Sequence, residues 1–199
     1  MFGGTVWYRR FADIRDVGYA GDDARRSKLS RRDASPTVIR FGSREVDASL
    51  SWPGGTSESP AKAMIQGEID SESSKALRER VLNALELPGQ VLDYHFVLQG
   101  IADTLWDRRR DEPKQMPFVE WLSWLDVRLV EAHPEAVRIS PERDEFVSIS
   151  AFSRLVDLYE CEGFLREALD AAERFERFRP RIDLEELRGR VARLDAERE

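Results

Sequence analysis

From residue 74 onward, apolar side chains return every three or four positions, a rhythm suited to helices that bury one face. In SKALRERVLNALEL the apolar set is Ala76, Leu77, Val81, Leu82, Ala84 and Leu85. Ser73 or Ser74 stands where an N-cap belongs, and Pro88-Gly89 ends the run. QVLDYHFVLQGIADTLWDRRRD carries Leu92, Tyr94, Val97, Leu98, Ile101, Leu105 and Trp106, a face broad enough for a packed helix. After a loop with Pro113 and Pro117, PFVEWLSWLDVRLVEAHP repeats the pattern through Phe118, Trp121, Leu122, Leu125, Leu129 and Val130, so an antiparallel pair is expected. EAVRISPERDEFVSIS connects this pair to FSRLVDLYECEGFLREALDAAERFERFRP, two further helices divided at Gly163. The last segment spaces Leu184, Leu187, Val191 and Leu194 by three and four, one apolar stripe under a charged face that could cap an open end. The expected fold class is mainly α: helical hairpins over 74–199 closed by a C-terminal capping helix.

Residues 1–73 lack that rhythm and are rich in Gly, Ser, Pro and Arg, which predicts an irregular or partly disordered segment. Within it, TVIRFGSREVDASLSW alternates Val46, Ala48, Leu50 and Trp52 with polar residues after a Gly42-Ser43 pair. That pattern reads either as a β-hairpin over 37–52 turning at Gly42-Ser43 or as disorder.

Composition narrows the class of function. The net charge of −7 over 199 residues argues against generic binding to nucleic acid or anionic membranes, which calls for basic excess. No run approaches the roughly 18 apolar residues of a membrane span, and the N-terminus lacks a secretory pattern. A single cysteine, Cys161, excludes an internal disulfide framework and fits a reducing, cytoplasmic setting. Lysine occurs only at Lys28, Lys62, Lys75 and Lys114, an arginine bias in keeping with a GC-rich bacterial genome.

The segment Phe152 to Pro180 resembles a tetratricopeptide repeat, a helix-turn-helix unit of about 34 residues. Phe152 stands at the first aromatic position, Leu155 and Tyr159 follow at the family's spacing, and Gly163 falls at the turn. Leu165, Glu167 and Ala168 come in order, and Pro180 closes the unit. Val156 takes a position normally given to Gly, and Ala172 and Phe175 exchange small for large. Tyr94, Val97, Leu98 and Ile101 imitate the same spacing in a degenerate earlier unit closed by Pro134. The resemblance implies a protein- or peptide-binding scaffold whose groove is lined by the first helix of each pair. It places His95, Gln99 and Asp103 from one unit, and Ser153, Asp157 and Glu160 from the other, on that groove. Such a lining is polar and acidic, suited to a basic or hydrogen-bonding peptide. His95 has an alternative role, closing a packing seam beside Tyr94.

Other chemistry is sparse. No phosphate loop, dinucleotide fingerprint, His-Glu-x-x-His or Gly-x-Ser-x-Gly occurs, and one cysteine with two histidines is too few for a soft-ligand metal site. No enzymatic role, metal or cofactor is therefore expected. Cys161 reads as a small buried packing residue more than as a nucleophile. The cluster Arg25, Arg26, Lys28, Arg31 and Arg32 reads either as a solvated loop or as a contact to nucleic acid, which makes a nucleic-acid-binding regulator the alternative function. Arg108 to Arg110 fit a helix C-terminus, where cations offset the dipole. Apolar edges left by so short an array could pair two copies of the chain.

Overall fold

The computed structural model describes residues 9–40, 48–53, 55–140, 145–178 and 182–197. Its long helices are α3 (Ser74–Glu86), α4 (Val91–Asp107), α5 (Met116–Ala132), α6 (Ser150–Glu162), α7 (Leu165–Phe175) and α8 (Leu184–Ala196), preceded by the single-turn helices α1 (Asp23–Arg26) and α2 (Pro60–Ala63). The protein is mainly helical, as the apolar period requires. Ser73 caps α3, its hydroxyl accepting the Ala76 N–H at 3.3 Å. Gln90 and Asp93 form a reciprocal capping box at the start of α4. The two-residue link Gly163–Phe164 turns α6 back into α7, with Gly163 left-handed at φ 82°. Gly163→Ala is expected to cost about 1–2 kcal/mol of stability, because a Cβ in that conformation meets the following carbonyl; chemical denaturation measures it.

Among the described residues, two short antiparallel ladders accompany the helices. Strands β1 (Thr37–Arg40) and β2 (Ala48–Ser51) pair Thr37 with Ser51 and Arg40 with Ala48, so the expected strand pair is present. Its register differs from the one expected: a two-residue turn at Gly42-Ser43 would set Arg40 opposite Glu45. The turn residues themselves lie outside the described residues. A second ladder, β3 (Arg138–Ser140) with β4 (Glu145–Phe146), occupies what the sequence reads as plain connection. It seats Phe146 edge-on against Phe178, ring centroids 5.2 Å apart.

Described residues before 73 pack into the helical core. Phe11, Ile14 and Val17 are buried in the same core as Leu77, Val81, Leu98 and Leu122. Arg9 and Gly89 exchange backbone hydrogen bonds at 3.0 and 3.1 Å. A Cβ on Gly89 would lie 2.8 Å from that of Ala61, so only glycine lets these chains approach. The buried Tyr94 shares its O–H between the carbonyls of Arg9 and Leu87. Glu86, fully buried, accepts from the Tyr19 hydroxyl and the Asp22 N–H, both at 2.7 Å. Residue 73 is therefore no gap in the core.

The core divides instead along α5. Val119, Leu122, Leu125 and Leu129 of that helix join the cluster built on α3, α4 and the N-terminal segment. Val127 and Val130 join a second cluster with α6, α7 and Leu187 of α8. There Phe152 stacks on Phe175 at 4.5 Å and 26°, the large residue of α7 filling space beside the small, buried Ala168 and Ala172. Tyr159 ties α6 to α5, donating to Glu120 at 2.7 Å and accepting from the Trp124 indole N–H at 2.9 Å.

Candidate functional site

His95, Gln99 and Asp103 do share one face of α4, as their spacing of four requires. His95 at one end of the row is enclosed between α4 and α5, whereas Gln99 and Asp103 are half-buried and engage the start of α6. His95 is fully buried, with Nδ1 2.7 Å from a carboxylate oxygen of the equally buried Asp126 on α5. Gln99 accepts the Ser150 N–H at 3.0 Å and so caps α6, whose own N-cap residue supplies no side-chain bond. Asp103 pairs with Arg154, which is 3 % exposed and also donates to Ser123 at 2.9 Å and to Ser150 at 2.7 Å. Burial pushes the Asp126 carboxyl above its ordinary pKa, against the opposing pull of His95 and Arg154. The His95 imidazole is fully enclosed against Asp126, so in this arrangement it meets no ligand from solvent.

Ser153, Asp157 and Glu160 have a different fate. Their spacing puts them on one stripe of α6, and α8 runs alongside it. Between the two helices lies an open recess of about 220 Å³. Four carboxylates line it, Asp157 and Glu160 from one side and Asp183 and Glu186 from the other, against one guanidinium, Arg190. Arg190 is already paired with Glu160. Asp183 is committed in part to the Glu186 N–H at 3.0 Å as the cap of α8. Asp157 is exposed, and burial of part of its carboxyl together with the Glu160 charge raises its pKa, while Arg109 acts the other way. A cation entering the recess would relieve this crowding of like charge.

The basic cluster is mostly spent on its own surroundings. Arg25 donates to Glu79 at 2.6 Å and to Asn83 at 2.8 Å, docking α1 on α3. Arg26 and Arg32 both pair with Asp33, at 3.1 and 3.2 Å. Lys28 and Arg31 are exposed, and Arg31 borders a second recess of about 360 Å³ beside Pro60 and Met64 of the α2 region. Arg109 donates to the Trp106 carbonyl at 3.1 Å, satisfying a C-terminal carbonyl of α4. Arg108 instead reaches across to the carbonyls of Glu72 and Asp70, at 2.6 and 2.7 Å. Cys161, expected in the packing, is exposed in the last turn of α6, beyond the last buried position at Leu158. Pro180, expected to close α7, lies outside the described residues. Among the described residues no three His, Cys, Asp or Glu side chains converge to hold a metal ion, and no helix is long and apolar enough to cross a membrane.

Asp126, Arg154, Asp183, Glu186 and Arg190 are residues of these sites that sequence reasoning did not single out. A signal was present for the first two: each is a charge set at a core position of its helix, Asp126 beside Leu125 and Leu129, Arg154 beside Phe152 and Leu155. Comparison with family models, with curated proteins and with solved structures found no match for the chain.

Proposed function

We propose that the protein is a binding scaffold that recognises a basic segment of another protein at the recess between α6 and α8, making and breaking no covalent bond. The observation that carries this reading is the excess of carboxylates in the recess, Asp157, Glu160, Asp183 and Glu186 against Arg190 alone. A lysine or arginine side chain fits a site of this size and charge, and complementary charge speeds encounter and excludes acidic partners. The pairs α4–α5 and α6–α7 then act as tetratricopeptide-like units. That likeness is supported by the left-handed Gly163 turn, the buried Ala168 and the bridging Tyr159.

Selection of random peptides displayed on phage tests the reading. Peptides enriched on the wild type are expected to carry Lys or Arg and to lose about ten-fold or more in affinity for Asp157→Arg, the equivalent of ~1.4 kcal/mol or more. Enrichment of neutral or acidic peptides, or equal affinity for both proteins, overturns it. Binding should also weaken with added salt. Because the Asp157 pKa is raised, cation binding should begin to fade, as pH falls, at a higher pH than for an ordinary aspartate. Gln99→Ala is unsuitable as a companion variant, since it removes the α6 cap.

A further inference from the structure

The recess beside α2 differs in kind from the one between α6 and α8. It measures about 360 Å³, within the range of cavities that hold small molecules. Buried Pro60 and Leu87, with half-buried Leu29, Ala63 and Met64, give it apolar walls. Ser30 and Gln66 add uncharged polar groups. Among the described residues Arg31 is the one charged residue of the lining, and no carboxylate faces it there. Its side chain is exposed and has no hydrogen bond or ion pair with any described residue. The cations around it are otherwise engaged: Arg25 with Glu79, Arg26 and Arg32 with Asp33, Lys62 with Glu58. In a chain of net charge −7, a guanidinium left free at an apolar recess selects for an anion from outside.

Both sides of the recess are fixed by hydrogen bonds. On one, Arg80 donates to the Met64 and Gln66 carbonyls at 2.8 and 3.2 Å and is itself held by Glu72 at 2.7 Å. On the other, Arg32 donates to the Ser27 carbonyl at 2.8 Å and Arg26 to the Arg32 carbonyl at 3.3 Å, closing the turn that carries Leu29, Ser30 and Arg31. The Ala61 N–H donates to the Pro88 carbonyl at 3.2 Å and seats α2 beside Leu87. A ligand therefore meets preformed walls, and little ordering opposes its binding.

We propose that this recess binds a small monocarboxylic acid, with its carboxylate on Arg31 and a branched aliphatic or aromatic group against Leu29, Met64 and Leu87. A guanidinium matches a planar carboxylate through two parallel hydrogen bonds. The double charge of a phosphate group calls for a cluster of arginines, and only Arg31 lines this recess. An acidic partner protein would also meet repulsion from the whole negative surface, whereas a small anion meets mainly the local field of Arg31. The site is independent of the acidic recess and makes the opposite selection by charge.

Full-length protein isotopically labelled at its methionine methyl groups tests this by NMR, since Met64 lines the recess and Met116 does not. Titration with isocaproate is expected to shift the Met64 resonance saturably and leave Met116 in place, with a Kd of about 1 mM for so small a ligand. Arg31→Gln, at an exposed position where the fold is untouched, should raise that Kd about ten-fold, the loss of a charge-assisted hydrogen bond. Isocaproamide should bind the wild type as weakly as the acid binds the variant. No saturable shift at Met64, equal affinity for acid and amide, or a Kd unchanged by Arg31→Gln overturns the proposal. Displacement of the acid by an equal concentration of inorganic phosphate overturns it too, as does binding of a peptide ending in leucine where the free acid fails to bind.

Discussion

Asp126→Ala is expected to lower the free energy of unfolding by about 3–5 kcal/mol, the range found when one partner of a buried pair is removed. Urea denaturation reads the change as a lower midpoint at an unchanged slope. Asp126 lies between the two halves of the core, 1 % exposed, with its carboxylate against the His95 imidazole. Its loss leaves Nδ1 of His95 without a partner, and Nε2 has none already, so a buried polar ring would be left with no hydrogen bond. It also removes a negative charge from the surroundings of the buried Arg154. His95→Leu/Asp126→Val should recover most of the loss, because apolar replacement of a whole buried pair is often neutral or stabilising. A single variant within about 0.5 kcal/mol of the wild type, the range of ordinary surface changes, would mean that the seam is open to water in solution. The pH dependence has a definite sign. With its pKa raised, the folded state holds the Asp126 proton more tightly than the unfolded chain does, so this group's contribution to stability falls as pH rises from the ordinary carboxylate value through the raised one.

The helices were legible in the sequence because their evidence is local. A cap at Ser73, a break at Pro88-Gly89, a left-handed turn at Gly163 and a stripe repeating at three and four need no knowledge of the rest of the chain. The row His95, Gln99 and Asp103 shows where that evidence ends. Its shared face follows from spacing alone, but whether polar residues on one face meet water or one another depends on where α6 lies. Ser150 and Arg154, some fifty residues later in the chain, supply the partners that engage Gln99 and Asp103. Ser153, Asp157 and Glu160 have the same kind of spacing and similar polarity, and their face borders an open recess because α8 meets it with charge more than with apolar surface. The fate of Cys161 is decided by the same distinction, the last turn of α6 projecting beyond its buried stripe. The division of the core at α5 was hidden for a related reason: the sequence shows that α5 is apolar on more than one side, and only packing assigns each side to a cluster.

Phe11→Ala is expected to cost a further instance of the core penalty, about 3–5 kcal/mol for a buried phenylalanine. The composition of residues 1–73 points the other way, toward a loose segment in which the substitution would change stability by no more than about 0.5 kcal/mol. The two expectations differ by enough for a single denaturation curve to separate them. The structural argument begins with Phe11 at 0 % exposure, its ring edge-on to Tyr94 at 5.3 Å and to Tyr19 at 5.8 Å. Three anchors then fix the segment that carries it: the Arg9–Gly89 backbone pair, the Tyr94 hydroxyl on the Arg9 carbonyl, and Glu86 holding Tyr19 and Asp22. None of these is periodic, and each joins residues far apart in the chain, which is why a search for repeating apolar positions passes over them. Trp121 lies 6.2 Å from Tyr19, so tryptophan fluorescence should report the loosening at the helix α5 contact as well as the global transition. Coincident transitions by fluorescence and circular dichroism would place the segment inside the cooperative unit. An earlier fluorescence transition in the wild type would instead separate it from the helices, and would remove Phe11, Ile14 and Val17 from the shared core.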